Sequence, residues 1–188
     1  MRKHLIVIVI SLLAAGLSVP AGAQTEATTI APMTKGNIFI SAGFGPATGW
    51  AGNYRGFSPG LMTAVDVGFL ELGPGILTVG GEFGWDYNTY KHFKIASEYT
   101  ERNMSITLAA RSTYHYGWDI EGLDTYGGIA MGPRIPVYHD GFEDSPAAGL
   151  GGGIFAGASY FFTPELGVNA EVGYNITYLQ LGMVFILK

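Results

Sequence analysis

Leu166-Gly167-Val168-Asn169-Ala170-Glu171-Val172-Gly173-Tyr174-Asn175 alternates without a break. Leu166, Val168, Ala170, Val172 and Tyr174 share one parity; Gly167, Asn169, Glu171, Gly173 and Asn175 share the other. Successive side chains of an extended strand point to opposite faces, so this spacing predicts a β-strand with an apolar face and a polar, glycine-rich one.

The same pattern recurs in both directions along the chain. Over 76–88, Leu77, Val79, Gly81, Phe83, Trp85 and Tyr87 oppose Thr78, Gly80, Glu82, Gly84, Asp86 and Asn88. Over 103–116, Met104, Ile106, Leu108, Ala110 and Tyr114 oppose Asn103, Ser105, Thr107, Ala109, Arg111 and Thr113. Leu61, Thr63, Val65, Val67 and Phe69 oppose Asp66, and Ile129, Met131, Ile135 and Val137 oppose Gly128, Gly132 and Arg134. With 37–45, 150–162 and 178–187, eight runs are predicted: 37–45, 61–70, 76–88, 103–116, 125–138, 150–162, 166–175 and 178–187. Short turn sequences at 71–75, 117–122 and 163–165 alternate with longer polar connections at 46–60, 89–102 and 139–149, the plan of an up-and-down meander. Pro133 and Pro136 predict a bulge or an early end in the fifth run, and Gly149–Gly153 reads as a stretch where a strand bends or packs closely.

The position of the charges decides the solvent. Asp66, Glu82, Asp86, Arg111, Arg134 and Glu171 all lie on the polar, glycine-rich face. A water-soluble barrel needs the opposite arrangement. A charge on a lipid-facing barrel wall costs about 2–4 kcal/mol at midplane, and a closed barrel satisfies every backbone polar group, as hydrocarbon demands. The predicted fold is therefore an all-β, eight-stranded antiparallel up-and-down transmembrane β-barrel over 37–188. Aromatic clusters at Tyr114, Tyr116, Trp118, Tyr160, Phe161 and Phe162, and at Trp85, Tyr87 and Tyr174, are expected to form girdles at the two interfaces.

Composition agrees. Only 13% of residues are charged, against about a quarter in soluble domains, while 48% are hydrophobic. With no cysteine there is no disulfide, thiolate metal site or cysteine nucleophile, and no cofactor is expected. At the N-terminus, basic Arg2 and Lys3, the apolar run Leu5–Ala15 and small residues Ala21-Gly22-Ala23 have the layout of a signal peptide spanning 1–23. Its removal makes the net charge two units more negative than −5, and with no basic cluster a nucleic-acid partner is not expected. Residues 24–36 have no period and read as a flexible lead-in on the periplasmic side.

The closing run Tyr178-Leu179-Gln180-Leu181-Gly182-Met183-Val184-Phe185 alternates and ends in an aromatic. With the eight-run pattern, the chain from Asn37 to Lys188 resembles the small outer-membrane β-barrels of the OmpA/OmpX type, although three residues follow Phe185 where that family commonly stops. The resemblance implies a Gram-negative outer membrane, periplasmic termini, longer loops outside, contact with outer-membrane lipid and lipopolysaccharide, and recognition by the barrel-assembly machinery. It implies no single activity.

Inside such a barrel, side chains fill the lumen. Asp66, Glu82 and Glu171 are expected to pair there with Arg111 and Arg134, Asn169 and Gln180 adding hydrogen bonds, as a structural plug. Trp50, Tyr54, Arg55 and Phe57 in the first long loop, and Tyr90, Lys91, His92, Phe93, Lys94 and Tyr99 in the second, mix aromatics with cations; Tyr90, Lys91 and Phe93 join the first group as candidate recognition residues. None of His92, His115 and His139 has a serine two residues away, so the deacylase-type pairing is missing, and His139, Asp140 and Ser145 are read as solvated loop residues. Asp140, Glu143 and Asp144 lack the spacing of a Ca²⁺ cage. The reading is a non-enzymatic barrel with a structural or adhesive role, the alternatives being a small ion or solute channel and, further off, a lipid A-modifying enzyme.

Overall fold

A computed structural model describes residues 32–48, 58–94, 97–140 and 147–188, with backbone alone between 90 and 99. Eight strands follow in chain order: β1 Ile38–Pro46, β2 Pro59–Leu72, β3 Gly75–Lys94, β4 Ser97–Gly117, β5 Leu123–Asp140, β6 Gly149–Phe161, β7 Leu166–Tyr174 and β8 Leu179–Leu187. Each is antiparallel to its neighbour, and β1 pairs with β8 from Ile38↔Leu187 to Phe44↔Leu181, closing the barrel. The sheet therefore has no edge strand within the wall, which is what makes it compatible with hydrocarbon.

The two faces follow the parity of the sequence. Leu150 is 75% exposed, Phe44 70%, Met131 67% and Ile129 62%, whereas Glu82 and Arg111 on the opposite parity are each 4% exposed. Apolar side chains ring the outside and ionic ones fill the inside, the arrangement a bilayer selects. At one end of the barrel the connections are tight, helped by Gly73 (φ 60°) and Gly122 (φ 79°) in left-handed conformations that a side chain disfavours.

Expectation and structure differ at three places: the second long connection, the lead-in and one girdle residue. The second long connection, expected as a loop over 89–102, is mostly strand: β3 and β4 stay paired out to Lys94↔Ser97. Among the described residues the β2–β3 ladder reaches Gly60↔Asp86 and the β4–β5 ladder Arg102↔Asp140, while the β3–β4 ladder runs on to Lys94↔Ser97. On the far side the wall is low, β6–β7 ending at Ile154↔Tyr174 and β7–β8 at Val172↔Leu179. Of the two outcomes expected for the fifth run the structure shows the bulge: β5 continues to Asp140, and Val137 is skipped between Met104↔Tyr138 and Ser105↔Pro136, beside Pro136.

Residues 32–36, assigned by sequence to a flexible lead-in, are instead folded into the turn end of the barrel. Met33 is 1% exposed in a cluster with Phe39, Phe161, Val184 and Ile186. This short strap is held by Gly36 N–H donating to Gly68 O at 2.9 Å, Asn37 N–H to Thr34 O at 3.1 Å and Gly68 N–H to Asn37 O at 2.9 Å. A Cβ at position 68 would lie 2.2 Å from Thr34 O, so glycine there makes room for the strap. The same cluster removes Phe161 from the interfacial girdle: it points inward at 8% exposed, while Tyr160 and Phe162 point out. The signal-peptide assignment, 1–23, and residues 24–31 lie outside the described residues.

Candidate functional site

The lumen is a stack of layers, each set by the inward parity of several strands. At the turn end the Met33 cluster forms an apolar stopper. Above it, Phe39 meets the His115 ring edge-on at 5.3 Å, and His115 stacks on Tyr126 at 5.0 Å. His115 Nδ1 lies 2.8 Å from Asp124 Oδ2, and Nε2 lies 2.8 Å from Thr113 Oγ1, which in turn bonds Thr78 Oγ1. Hydroxyl, imidazole and carboxylate thus stand in the order of a nucleophilic triad. Thr113, His115 and Asp124 are 1%, 3% and 1% exposed, so the group is closed off from solvent within the barrel.

The next layer holds the charge network. Arg111 donates from Nε to Asp66 Oδ2 at 3.0 Å, from Nη1 to Glu82 Oε2 at 3.1 Å and from Nη2 to Glu171 Oε2 at 2.9 Å. Its guanidinium carbon sits 4.0 Å from the Phe155 ring centroid, a cation–π contact. Tyr126 O–H donates to Glu171 Oε2 at 3.3 Å, and Asn169 Nδ2 donates to the Tyr126 oxygen at 3.4 Å. One arginine on β4 therefore ties together β2, β3 and β7, its three partners 45, 29 and 60 residues away in sequence.

Above this layer Asn175 Nδ2 donates to Glu82 Oε2 at 3.1 Å. At the loop end Arg134 Nη2 donates to Asp86 Oδ1 at 2.6 Å, Asn88 Nδ2 bonds the same carboxylate, and Ser58 Oγ bonds Asn88 Oδ1. Thr48 and Ile176 fold over the lumen, Thr48 N–H donating to Ile176 O at 3.0 Å. Beneath them a cavity of about 10 Å³, room for roughly one water molecule, is bounded by Thr48, Asp86, Arg134, Asn175 and Ile176.

Of the five residues expected in one network, Asp66, Glu82, Arg111 and Glu171 come together. Arg134 does not join them; it sits higher in the barrel and pairs with Asp86. Asn169 contributes through Tyr126, while both Gln180 side-chain atoms make no hydrogen bond. Trp50, Tyr54, Arg55 and Phe57 lie outside the described residues. Tyr90, Lys91 and Phe93 belong to the β3 backbone rather than to a loop, opposite Glu101, Thr100 and Glu98. Asp140 pairs with Arg102 at 3.6 Å and His139 bonds Asn103, while Glu143, Asp144 and Ser145 lie outside the described residues. Among the described residues no group of three or more His, Cys, Asp or Glu is placed to hold a metal ion.

Sequence reasoning missed Tyr126, His115 and Asp124 as parts of the lumen. Their signal was present: odd positions of the fourth run and even positions of the fifth carry the inward face, and each of these residues obeys that parity or its pairing.

No family model and no curated protein matches the chain. Among solved structures, the N-terminal β-barrel domain of Pseudomonas aeruginosa OprF is similar, at 17% identity and a TM-score of 0.48, covering 82% of this chain and 100% of that one. The Yersinia pestis outer-membrane protein Ail in a phospholipid bilayer nanodisc is 16% identical with a TM-score of 0.47, covering 81% of this chain and 100% of that one. A crystal structure of Ail, the attachment invasion locus protein, in complex with the heparin analogue sucrose octasulfate is 12% identical, with a TM-score of 0.43 and coverage of 81% and 96%.

Proposed function

We propose that this chain is an integral protein of a Gram-negative outer membrane, exported by the 1–23 signal peptide, that acts by what its loop end presents outside the cell rather than by conduction or catalysis. In this reading the tight turns and both termini are periplasmic, lipopolysaccharide surrounds the loop-end rim, and the barrel is the anchor. The observation that carries the proposal is the contrast between the two ends of the lumen and the rim. Buried side chains occupy the lumen from the Met33 stopper through the Arg111 layer to Ile176, whereas the β3–β4 hairpin continues as a paired ribbon beyond the described parts of the strands beside it. A plugged barrel with a projecting hairpin suits attachment or a structural role.

The test has two arms. Single-channel recording in planar bilayers is expected to show no conductance steps from the purified barrel. Replacing 90–101 by an Asn-Gly two-residue turn, a type I′ hairpin connection, is expected to leave the barrel folded and to abolish attachment of expressing cells to immobilised matrix proteins. Regular conductance steps would instead support the narrow-channel reading, which the polar lining from Arg134 to Arg111 favours. Attachment that is equal with and without the hairpin would remove the adhesive role.

A further inference from the structure

The strap ahead of β1 is built by a turn. Thr34 O accepts from Asn37 N–H at 3.1 Å, closing the reversal Thr34-Lys35-Gly36-Asn37, and its third residue, Gly36, has φ 91°. A turn with positive φ at that position selects glycine. A Cβ at position 36 would meet nothing within 4 Å, so glycine stands there for its backbone conformation and not for room. Asn37 Nδ2 adds a bond to Pro32 O at 3.4 Å. The turn sends residues 32–34 back over the mouth of the barrel and delivers Met33, 1% exposed, into the cluster with Phe39, Phe161, Val184 and Ile186.

The partners of this strap lie on both sides of one seam. Gly36 N–H donates to Gly68 O of β2 at 2.9 Å, and Thr34 O rests against the bare backbone of Gly68. The Met33 cluster takes Val184 and Ile186 from β8, with Phe39 of β1 opposite Ile186 in the ladder. The strap therefore runs from β2, past β1, to a socket built partly on β8.

The β1–β8 seam is the one adjacency between strands that are not consecutive in the chain. No turn tethers it, so strands that part there must close a loop as long as the barrel to meet again. Its ladder is also short, from Ile38↔Leu187 to Phe44↔Leu181, against Ile76↔His115 to Lys94↔Ser97 for β3–β4. Connectivity opposes opening least at this seam, although opening leaves two backbone edges that hydrocarbon penalises. We propose that residues 32–36 are a latch on the β1–β8 seam: docking of Met33 holds β1 against β8 and sets the rate at which the finished barrel opens. Val184 and Ile186 form part of the socket, so the latch engages only after β8 is in place. This role does not depend on what the loop end binds.

The test locks the seam by other means and asks whether the latch still matters. The chain has no cysteine, so introduced pairs are unambiguous. Ala42 stands opposite Met183 across β1–β8, and Ala156 opposite Val172 across β6–β7, all on the outward face. Directly opposed residues of antiparallel strands lie about 4.5–5.5 Å apart at Cα, within reach of a disulfide. Unfolding of the full-length barrel in detergent micelles is followed by tryptophan fluorescence after addition of guanidinium. Gly36→Val, which strains the turn without meeting a neighbouring atom, is expected to speed unfolding about tenfold or more. With the Ala42→Cys/Met183→Cys disulfide formed, the same substitution is expected to change the rate by less than about twofold, and reduction to restore the full effect. With Ala156→Cys/Val172→Cys oxidised, the full effect is expected to persist. Met33→Ser is the second variant, and amide hydrogen exchange in the cysteine-free barrel is the second readout. Exchange is expected to quicken in Ile38–Phe44 and Leu181–Leu187 and to stay unchanged in β3 and β4. No acceleration by either variant, equal acceleration with the seam locked, or exchange that quickens evenly around the barrel overturns the latch.

Discussion

Replacing Arg111 by alanine is the sharpest perturbation this barrel offers. The substitution leaves Asp66, Glu82 and Glu171 facing one another with no cation among them, and it opens a void against the Phe155 ring. Removing one partner of a buried ion pair costs about 3–5 kcal/mol, chiefly because the other charge stays buried and unpaired. Here three carboxylates lose the same partner, so that range is a lower bound. For a chain of this size each kcal/mol moves the midpoint by roughly 2–4 °C, and Arg111→Ala is expected to lower it by about 6–20 °C. The assay is the fraction of protein migrating as the folded species after heating in detergent, followed with time as well as temperature because barrel unfolding is read most safely as a rate. A companion variant joins Arg111→Met to Asp66→Asn, Glu82→Gln and Glu171→Gln, removing the charges together, and is expected to recover most of the loss. If Arg111→Ala unfolded within about 1 °C of the parent, the network would not be carrying the burden assigned to it. If the fully neutral variant were no better than Arg111→Ala, the loss would belong to packing and not to unpaired charge.

Other substitutions separate the remaining parts of the design. Arg134→Ala breaks one pair at a side chain that is 19% exposed, so the loss should be about 1–3 kcal/mol, a smaller fall in the same gel assay than for Arg111→Ala. Met33→Ala is expected to cost about 2–5 kcal/mol by emptying the centre of the turn-end stopper; a midpoint unchanged from the parent would show that the strap does not seal this end. Leu108→Arg places a charge on the outward face of the wall, where about 2–4 kcal/mol of destabilisation is expected in lipid vesicles by denaturant titration. A neutral result would mean that this face does not meet hydrocarbon.

The wall of the barrel was legible because a bilayer tolerates so little on its outer face. Val79, Val65 and Leu108 could be assigned outward, and Glu82, Asp66 and Arg111 inward, from parity alone. Legibility failed where that constraint ends. Beyond the hydrocarbon both faces of a strand can be polar, so 89–94 and 97–102 lost their alternation although the ladder runs through them. Tyr160-Phe161-Phe162 has no apolar–polar contrast to show which ring turns inward, and Met33 precedes the first run, where there is no period to read. The network itself was half legible: parity put six charges in one lumen, but which arginine meets which acid depends on the stagger between strands. That stagger raises Arg134 to Asp86 and leaves Arg111 level with Asp66, Glu82 and Glu171.

Closure of β1 onto β8 has a consequence for how this molecule comes into being. The first strand cannot complete its hydrogen bonding until the last has been delivered, and Arg111 gathers its acids from strands near both ends of the chain. A fragment lacking β7 and β8 would present two raw backbone edges and lack Glu171, one of the three acids that Arg111 joins. Completion of the wall is therefore expected to be close to all-or-none, because no partial set of strands pairs every backbone group.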